Sequence, residues 1–477
     1  MAGAPEPLRL LLLLPARRRR DWHDRLAAAL AERYDVIAAN VASPACPALL
    51  RGMLGVKPVP AEAVPGGDFD LVIDLSERGE SHSAGVLRPL YDGSPDSLAL
   101  IGRLQRGECP LLEIQECGSG AIPASSYAAI GDSGRLEGRL DLADARLEVL
   151  LLRAVAGGGI ALADRPARMP VTFSAARLLR SRARRLAARL LAPMRPSAGP
   201  VRHWNIALRY TDLPPDVRHF DLAAYAPLPV DPGTFYADPF VVERDGQAWL
   251  FAEAYPYAAG KGVIVCADVG EGAAPCDFRT ILERPWHLSY PFVFEWENET
   301  YLAPEGATHG GVEIYRATAF PWEWRLAHHL LPDWPLVDAT LFEHEGRLWL
   351  FAGAATRGGS DWDELFAWHA PALAGPWTPH RLNPIKSDCR SARPGGRPLR
   401  IGGRLLRPAQ RCERAYGEAL AWLEIRTLTP DAFEEVEVSL WRAGVDGRSG
   451  PHGADLGSRL RAVDFRSLLG PLENAWP

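Results

Sequence analysis

The stretch FYADPFVVERDGQAWLFAEA, Phe235 to Ala254, reads as a single β-hairpin. Two apolar runs flank Asp245-Gly246, a pair suited to a tight turn. Asp238 enters the first strand and Glu253 leaves the second. Both acids therefore stand at the open end, away from the turn. Either this acid pair does chemistry or it belongs to one unit of a repeated scaffold.

The rest of the C-terminal half contains further copies. DPFVVERDGQAWLFAE begins at Asp238, YPFVFEWENETYLAPE at Tyr290 and DATLFEHEGRLWLFAG at Asp338, offsets of 52 and 100 residues. The pairs Asp245-Gly246, Glu297-Asn298 and Glu345-Gly346 align, as do Trp249, Tyr301 and Trp349. A weaker fourth copy, GGRPLRIGGRLLRPAQ, starts at Gly395 and turns at Gly402-Gly403. Aromatic hairpins repeating at roughly 50 residues suggest propeller blades. A blade cannot bury both faces alone, so several must close into a ring. The stretch from EALAWLEIRTL to RLRAVDF is expected to supply a fifth blade, closed by a strand from HWNIALRY. The fold class is thus an α/β N-terminal domain plus an all-β five-bladed β-propeller. Expected boundaries are 1–160 for a Rossmann-like α/β domain, 161–200 for an Arg-rich helical linker and 201–477 for the propeller.

The α/β reading rests on LRLLLLLP, YDVIAAN and FDLVIDLS as strands, with DWHDRLAAALAER and LDLADARLEVLLLRAVA as helices. This alternation is the pattern of an open parallel sheet. The loop after the first strand, PARRRRDW, holds no glycine, so the dinucleotide fingerprint is absent. Arg17 to Arg20 form either a solvated basic turn or an anion site at a helix N-terminus. In the linker, Leu179, Ala183, Leu186 and Leu190 share one helical face among six arginines between Arg177 and Arg189. That helix either docks its leucines on a domain of its own chain or, through residues 177–191, makes weak contact with an anionic membrane surface.

Bulk composition narrows the classes. The net charge of −6 gives no general pull toward nucleic acid, and none is expected as a partner. Seven cysteines without CxxC spacing argue against a disulfide framework or zinc site and for a reduced, cytoplasmic location. The arginines near the N-terminus follow its apolar run, unlike a secretory signal. No apolar run reaches 18 residues, so no spanning helix is expected.

FYADPF, HLSYPFVFE, YLAPE, VDATLFEHEGRLWLFA, LAGPWTPH, SARPGGRPLRIGGRLLRPAQ and YGEALAWLEI resemble the N-terminal domain family of glucosamine inositolphosphorylceramide transferases over nearly all of 201–465. That family is similar in turn to the five-bladed propellers of furanosidase-type glycoside hydrolases. The resemblance implies the propeller and a carbohydrate or glycoconjugate ligand. It also matches Asp238 to the general-base aspartate that opens the first hydrolase blade. The hydrolases open their second and third blades with aspartate and glutamate, where this chain has Tyr290 and Asp338. Glu305, following YLAP, is the substitute acid. More faintly, residues 8–150 resemble a degenerate formyltransferase-like domain. Its folate site needs Asn, His and Asp in order, and SERGESHSAG offers only His82.

The candidate catalytic residues are Asp238, Glu305, Asp338 and Glu253, carboxyls that would crowd one mouth of the ring and shift one another's pKa. The candidate substrate-binding residues are Tyr290, Arg390, Arg393, Gln410, His309, His452 and Trp286. Arginines there would neutralise a carboxylate or hold a phosphate. Trp286, Tyr255 and Tyr290 would stack on a sugar or fill the core. No metal and no cofactor are expected. The leading function is glycosyl transfer or hydrolysis on a sugar or sugar conjugate in surface-glycan biosynthesis. The rivals are a non-catalytic glycan-binding or scaffold propeller and an N-terminal domain that modifies an amino sugar.

Overall fold

The computed structural model describes residues 7–51, 56–78, 84–131, 134–158, 162, 167–191, 201–270, 277–444 and 448–469. His82 lies outside them. The chain divides into two compact units, 1–193 with Thr356–Gly359, and 194–355 with 360–477.

The first unit is built on a six-stranded sheet in the order β2-β1-β3-β4-β5-β6. Its strands are β1 (Arg9–Pro15), β2 (Asp35–Val41), β3 (Leu71–Asp74), β4 (Gly85–Tyr91), β5 (Leu111–Glu116) and β6 (Ala124–Tyr127). Its helices are α1 (Asp21–Ala31), α2 (Ala48–Arg51), α3 (Ser97–Leu104), α4 (Leu136–Val155) and α5 (Ala175–Leu191). β1 lies between β2 and β3, parallel to both, and Leu10 to Leu14 are buried. That central place explains its unbroken apolar run. β4 continues the parallel set, whereas β5 and β6 run antiparallel, so the sheet is mixed rather than wholly parallel. The basic loop is not solvated as a whole. Arg18 donates to Glu77 and Asp96, Arg19 to Asp24 and Arg20 to Asp144. Among the described residues no helix is long and apolar enough to cross a membrane.

The second unit is a five-bladed propeller. It starts with β7 (Val201–Tyr210) and β8 (Ala226–Pro227). The first blade follows as β9 (Thr234–Arg244), β10 (Gln247–Pro256), β11 (Val263–Asp268) and β12 (Arg279–Leu282). The second is β13 (Ser289–Trp296), β14 (Glu299–Glu305), β15 (Val312–Ala319) and β16 (Glu323–Leu330). The third is β17 (Val337–His344), β18 (Arg347–Gly353), β19 (Glu364–Ala370) and β20 (Thr378–Pro379), with β21 (Lys386–Ser387) also on β19. The fourth is β22 (Leu399–Ile401), β23 (Arg404–Arg411), β24 (Ala419–Leu428) and β25 (Phe433–Trp441). The fifth combines β26 (Ala454–Leu456) and β27 (Leu460–Leu469) with β7 and β8. EALAWLEIRTL therefore belongs to the fourth blade, while RLRAVDF and HWNIALRY pair in the fifth.

The aligned turn pairs are the physical basis of the repeat. Asp245-Gly246, Glu297-Asn298, Glu345-Gly346 and Gly402-Gly403 all have positive φ at both residues, between 50° and 78°. A two-residue hairpin matched to strand twist requires that geometry. Facing blades interlock through aromatic rings, such as Phe240 against Tyr290 and Phe292 at 5.0 and 5.5 Å.

Candidate functional site

The open ends of the hairpins carry a second repeated device. Asp238, Tyr290 and Asp338 have φ of 52°, 45° and 51°. Each sits where its hairpin slips register, opposite the last residues of the second strand. A left-handed non-glycine residue costs about 1–3 kcal/mol and persists only where surrounding contacts hold it. The holding contact is the same in all three cases: a carboxylate accepts the residue's backbone N–H at 3.2 Å. Asp464 Oδ2 does so for Asp238, Asp238 Oδ2 for Tyr290, and Glu305 Oε2 for Asp338. One oxygen of each of these acids thus serves the frame of the ring.

Around those latches lies a dense ionic cluster. Arg393 donates to Asp338 Oδ2 and Asp361 Oδ2, both at 2.6 Å, and its Nη2 lies 3.5 Å from Glu305. Gln410 Nε2 adds a bond to Asp338 Oδ2 at 3.0 Å. His452 stands between two acids, with Nδ1 2.7 Å from Asp464 Oδ2 and Nε2 3.3 Å from Asp238 Oδ1. Trp204 stacks on the imidazole at 4.0 Å. The Tyr416 ring lies 5.1 Å from the Arg393 guanidinium and 5.4 Å from the His452 ring.

Glu253 is different. Among the described residues neither of its oxygens accepts a hydrogen bond, and the nearest ion-pair partner is His287 Nε2 at 3.5 Å. It is buried, and a Cβ on Gly262 would stand 2.7 Å from its Oε1, so the glycine leaves the carboxyl its room. Burial pushes this carboxyl well above its ordinary range, and Asp238, Glu305, Asp338 and Asp464 push it further. Both causes favour the protonated form of Glu253 over the carboxylate.

The other groups follow the same electrostatics. Burial raises Asp238 to about 6; His452 pulls it back, while Asp338 and Asp464 add to the rise. Burial also raises Asp338 well above normal and Glu305 to a lesser extent, with Arg393 opposing both. Burial alone would lower His452, but Asp464 and Asp238 outweigh it and the imidazole is raised. His452, Asp238 and Asp464 bring three potential metal ligands within 4.8 Å of one another, a grouping their sequence spacing does not announce. When protonated, the imidazole supplies a cation to both acids.

The remaining candidates are placed as follows. Tyr290 is buried, and its hydroxyl bonds Thr340 Oγ1 at 2.8 Å and the Gly396 N–H at 2.9 Å. Its ring is a core element, with no face open for a sugar. Tyr255 stacks on Phe235 at 4.8 Å. Arg390 clasps Asp388 through Nε and Nη2. Trp286 and His309 stack at 3.9 Å, and the buried indole Nε1 has no partner among the described residues. Gly306, next to Glu305, leaves space beside that nitrogen, since a Cβ there would come within 3.2 Å of it. Sequence reasoning missed Asp464, Asp361 and Tyr416. Asp464 lies within RLRAVDF, a strand already assigned to the ring, but its partners come from elsewhere in the chain.

A family model described as Glucosamine inositolphosphorylceramide transferase 1, N-terminal, matches residues 224–469. The chain belongs to this family. The match spans blades one to four and the inner strands of the fifth. A family relative, Glucosamine inositolphosphorylceramide transferase 1 of Oryza sativa subsp. japonica, is 38% identical over 241 residues, 50% of this chain and 32% of that protein. The Arabidopsis thaliana protein of the same name is 36% identical over 211 residues, 43% of this chain and 28% of that protein. The chain thus spans about a third of its relatives' length. Among solved structures, a family 117 glycoside hydrolase from Zobellia galactanivorans has a TM-score of 0.36 at 12% identity, covering 55% of this chain and 90% of that one. An α-L-arabinanase from Cellvibrio cellulosa has a TM-score of 0.33 at 15% identity, covering 42% and 77%. At these values the likenesses add nothing to the reading of the site.

Proposed function

We propose that the carboxyl-ringed end of the propeller holds a sugar of a glycoconjugate and takes part in glycosyl transfer or hydrolysis there. The observation that carries this reading is Glu253, a buried carboxyl that latches no backbone amide and whose burial among other acids favours its protonated form. A scaffold has no use for it, whereas glycosidic chemistry needs a proton donor beside an ionised carboxylate. Glu253 is the donor in this reading. Asp238, poised near neutrality and backed by His452, is the carboxylate across from it. Trp286 Nε1, buried and without a partner among the described residues, is a donor that a sugar hydroxyl would satisfy once His309 moves off the indole. The relatives' name speaks of transfer involving an inositolphosphorylceramide, which favours a sugar carried on a lipid conjugate and transfer over hydrolysis.

The test is Glu253→Gln, assayed for binding and turnover on a panel of sugar nucleotides and glycolipid headgroups. Expected is unchanged or higher thermal stability, because a buried titratable group is replaced by a neutral one. Turnover should fall a hundredfold or more, within the span general acid catalysis supplies. If no sugar binds the wild-type chain and the variant melts clearly lower, Glu253 serves the fold and the reading is wrong.

A further inference from the structure

We propose that α5, together with the hollow at its foot, is a docking site for an anionic phospholipid surface. The sequence leaves two fates for the leucine stripe of this helix, and the structure separates them. Leu178 is the docked residue, 2% exposed, and Arg185 Nη1 donates to the Gly134 carbonyl at 2.9 Å. Those contacts hold the helix to its own unit by one side. Leu179, Leu186 and Leu190 are 53%, 60% and 69% exposed, so the stripe faces away from that attachment. At spacings i, i+7 and i+11 the three lie in one line, with Arg180 and Arg182 on its flanks.

The charge pattern selects the occupant. From Arg165 to Thr211 the chain contains eleven arginines and not one aspartate or glutamate. Beside α5 lies a hollow of about 410 Å³, lined by Arg135, Arg182, Arg185, Leu186 and a single acid, Glu137. Arg135 is the N-cap of α4, with no side-chain cap, so the first turn of that helix adds its positive end. Arg185 also depresses the pKa of Arg139, after the effect of burial, a sign of how closely the cations crowd here. Leu186 belongs to both the stripe and the hollow. An aliphatic line joined to an arginine-lined hollow fits a surface that offers phosphate heads above acyl chains. An acidic protein would match the arginines but leave three leucines unexplained.

The experiment is flotation of the full chain with vesicles of phosphatidylcholine alone or mixed equally with phosphatidylglycerol. Binding to the mixed vesicles, near-absent binding to the neutral ones and at least a tenfold loss in high salt are expected. Leu179→Ser/Leu186→Ser/Leu190→Ser should weaken binding tenfold or more while melting as wild type does, because these side chains are already exposed. Arg182→Gln/Arg185→Gln should weaken binding to anionic vesicles in particular. Soluble glycerophosphate should not compete. Equal partition to both vesicle types overturns the proposal. So does full binding by the leucine variant, or competition by polyglutamate as strong as that by vesicles, which would assign the face to an acidic polypeptide. None of these changes touches the propeller, so failure here leaves the sugar reading standing, and the converse also holds.

Discussion

Asp238→Asn should make the protein more stable at neutral pH, and the gain should vanish in acid. The folded-state pKa of Asp238 is about 6, against an ordinary 3.8. At ~1.36 kcal/mol per unit, keeping the carboxylate ionised above pH 6 costs the fold about 3 kcal/mol. The sign follows from proton binding. Between roughly pH 4 and 6 the folded state holds a proton that the unfolded chain has released, so stability falls as pH rises through that window. Asparagine keeps an acceptor for the Tyr290 amide, now 3.2 Å from Oδ2, and His452 keeps Asp464. The weaker neutral bond should return about 1 kcal/mol. The net gain at pH 7.5 is therefore about 2 kcal/mol, or ~4–8 °C for a domain of this size. Thermal unfolding followed by circular dichroism from pH 4 to pH 8 checks both the gain and its pH dependence. If Asp238→Asn melts below wild type at pH 7.5 with an unchanged pH slope, ionisation is not what this site resists, and the electrostatic argument fails.

Two further outcomes follow from the same cluster. Arg393→Met should cost ~3–5 kcal/mol in urea denaturation at neutral pH, because Asp338, Asp361 and Glu305 lose their shared cation. A cost below about 1 kcal/mol would mean that protons already neutralise those acids. Tyr290→Phe should cost ~1–3 kcal/mol by leaving the buried Gly396 N–H unpaired, with sugar affinity unchanged, and paired melting and binding measurements read both.

The legible parts of the fold were local and periodic. The turn pairs dictate backbone geometry within a few residues, so their alignment exposed the blades and placed Asp238, Tyr290 and Asp338 at equivalent points. Ring closure was harder to read, because pairing β27 with β7 joins residues some 250 positions apart. EALAWLEIRTL was assigned to the wrong blade for that reason, since its partner is chosen by the ring as a whole. The same divide runs through the candidate site. A repeat fixes where a Cα stands, whereas the environment decides what the side chain does. Tyr290 shares its backbone position with Asp238 and Asp338, yet turns its hydroxyl into the core. Arg390 and Arg393 lie three residues apart, yet Arg390 clasps its near neighbour Asp388 while Arg393 reaches Asp338 in another blade. Asp361 and Tyr416 sit in loops whose neighbours only the closed propeller supplies.

The split fifth blade has a consequence for synthesis on the ribosome. β7 is made before any hairpin repeat and must wait for β27, which follows four complete blades. Until Leu460 to Leu469 have emerged, the nascent arc has two raw ends, each with a row of unpaired peptide groups. Such edges favour pairing between neighbouring nascent chains on a polysome. The left-handed latches could counter this one junction at a time. Asp238 fastens the second blade and Glu305 the third before the circle is complete. The Asp464 clasp on Asp238 forms only with the final strand, so a stalled chain lacks that one fastening.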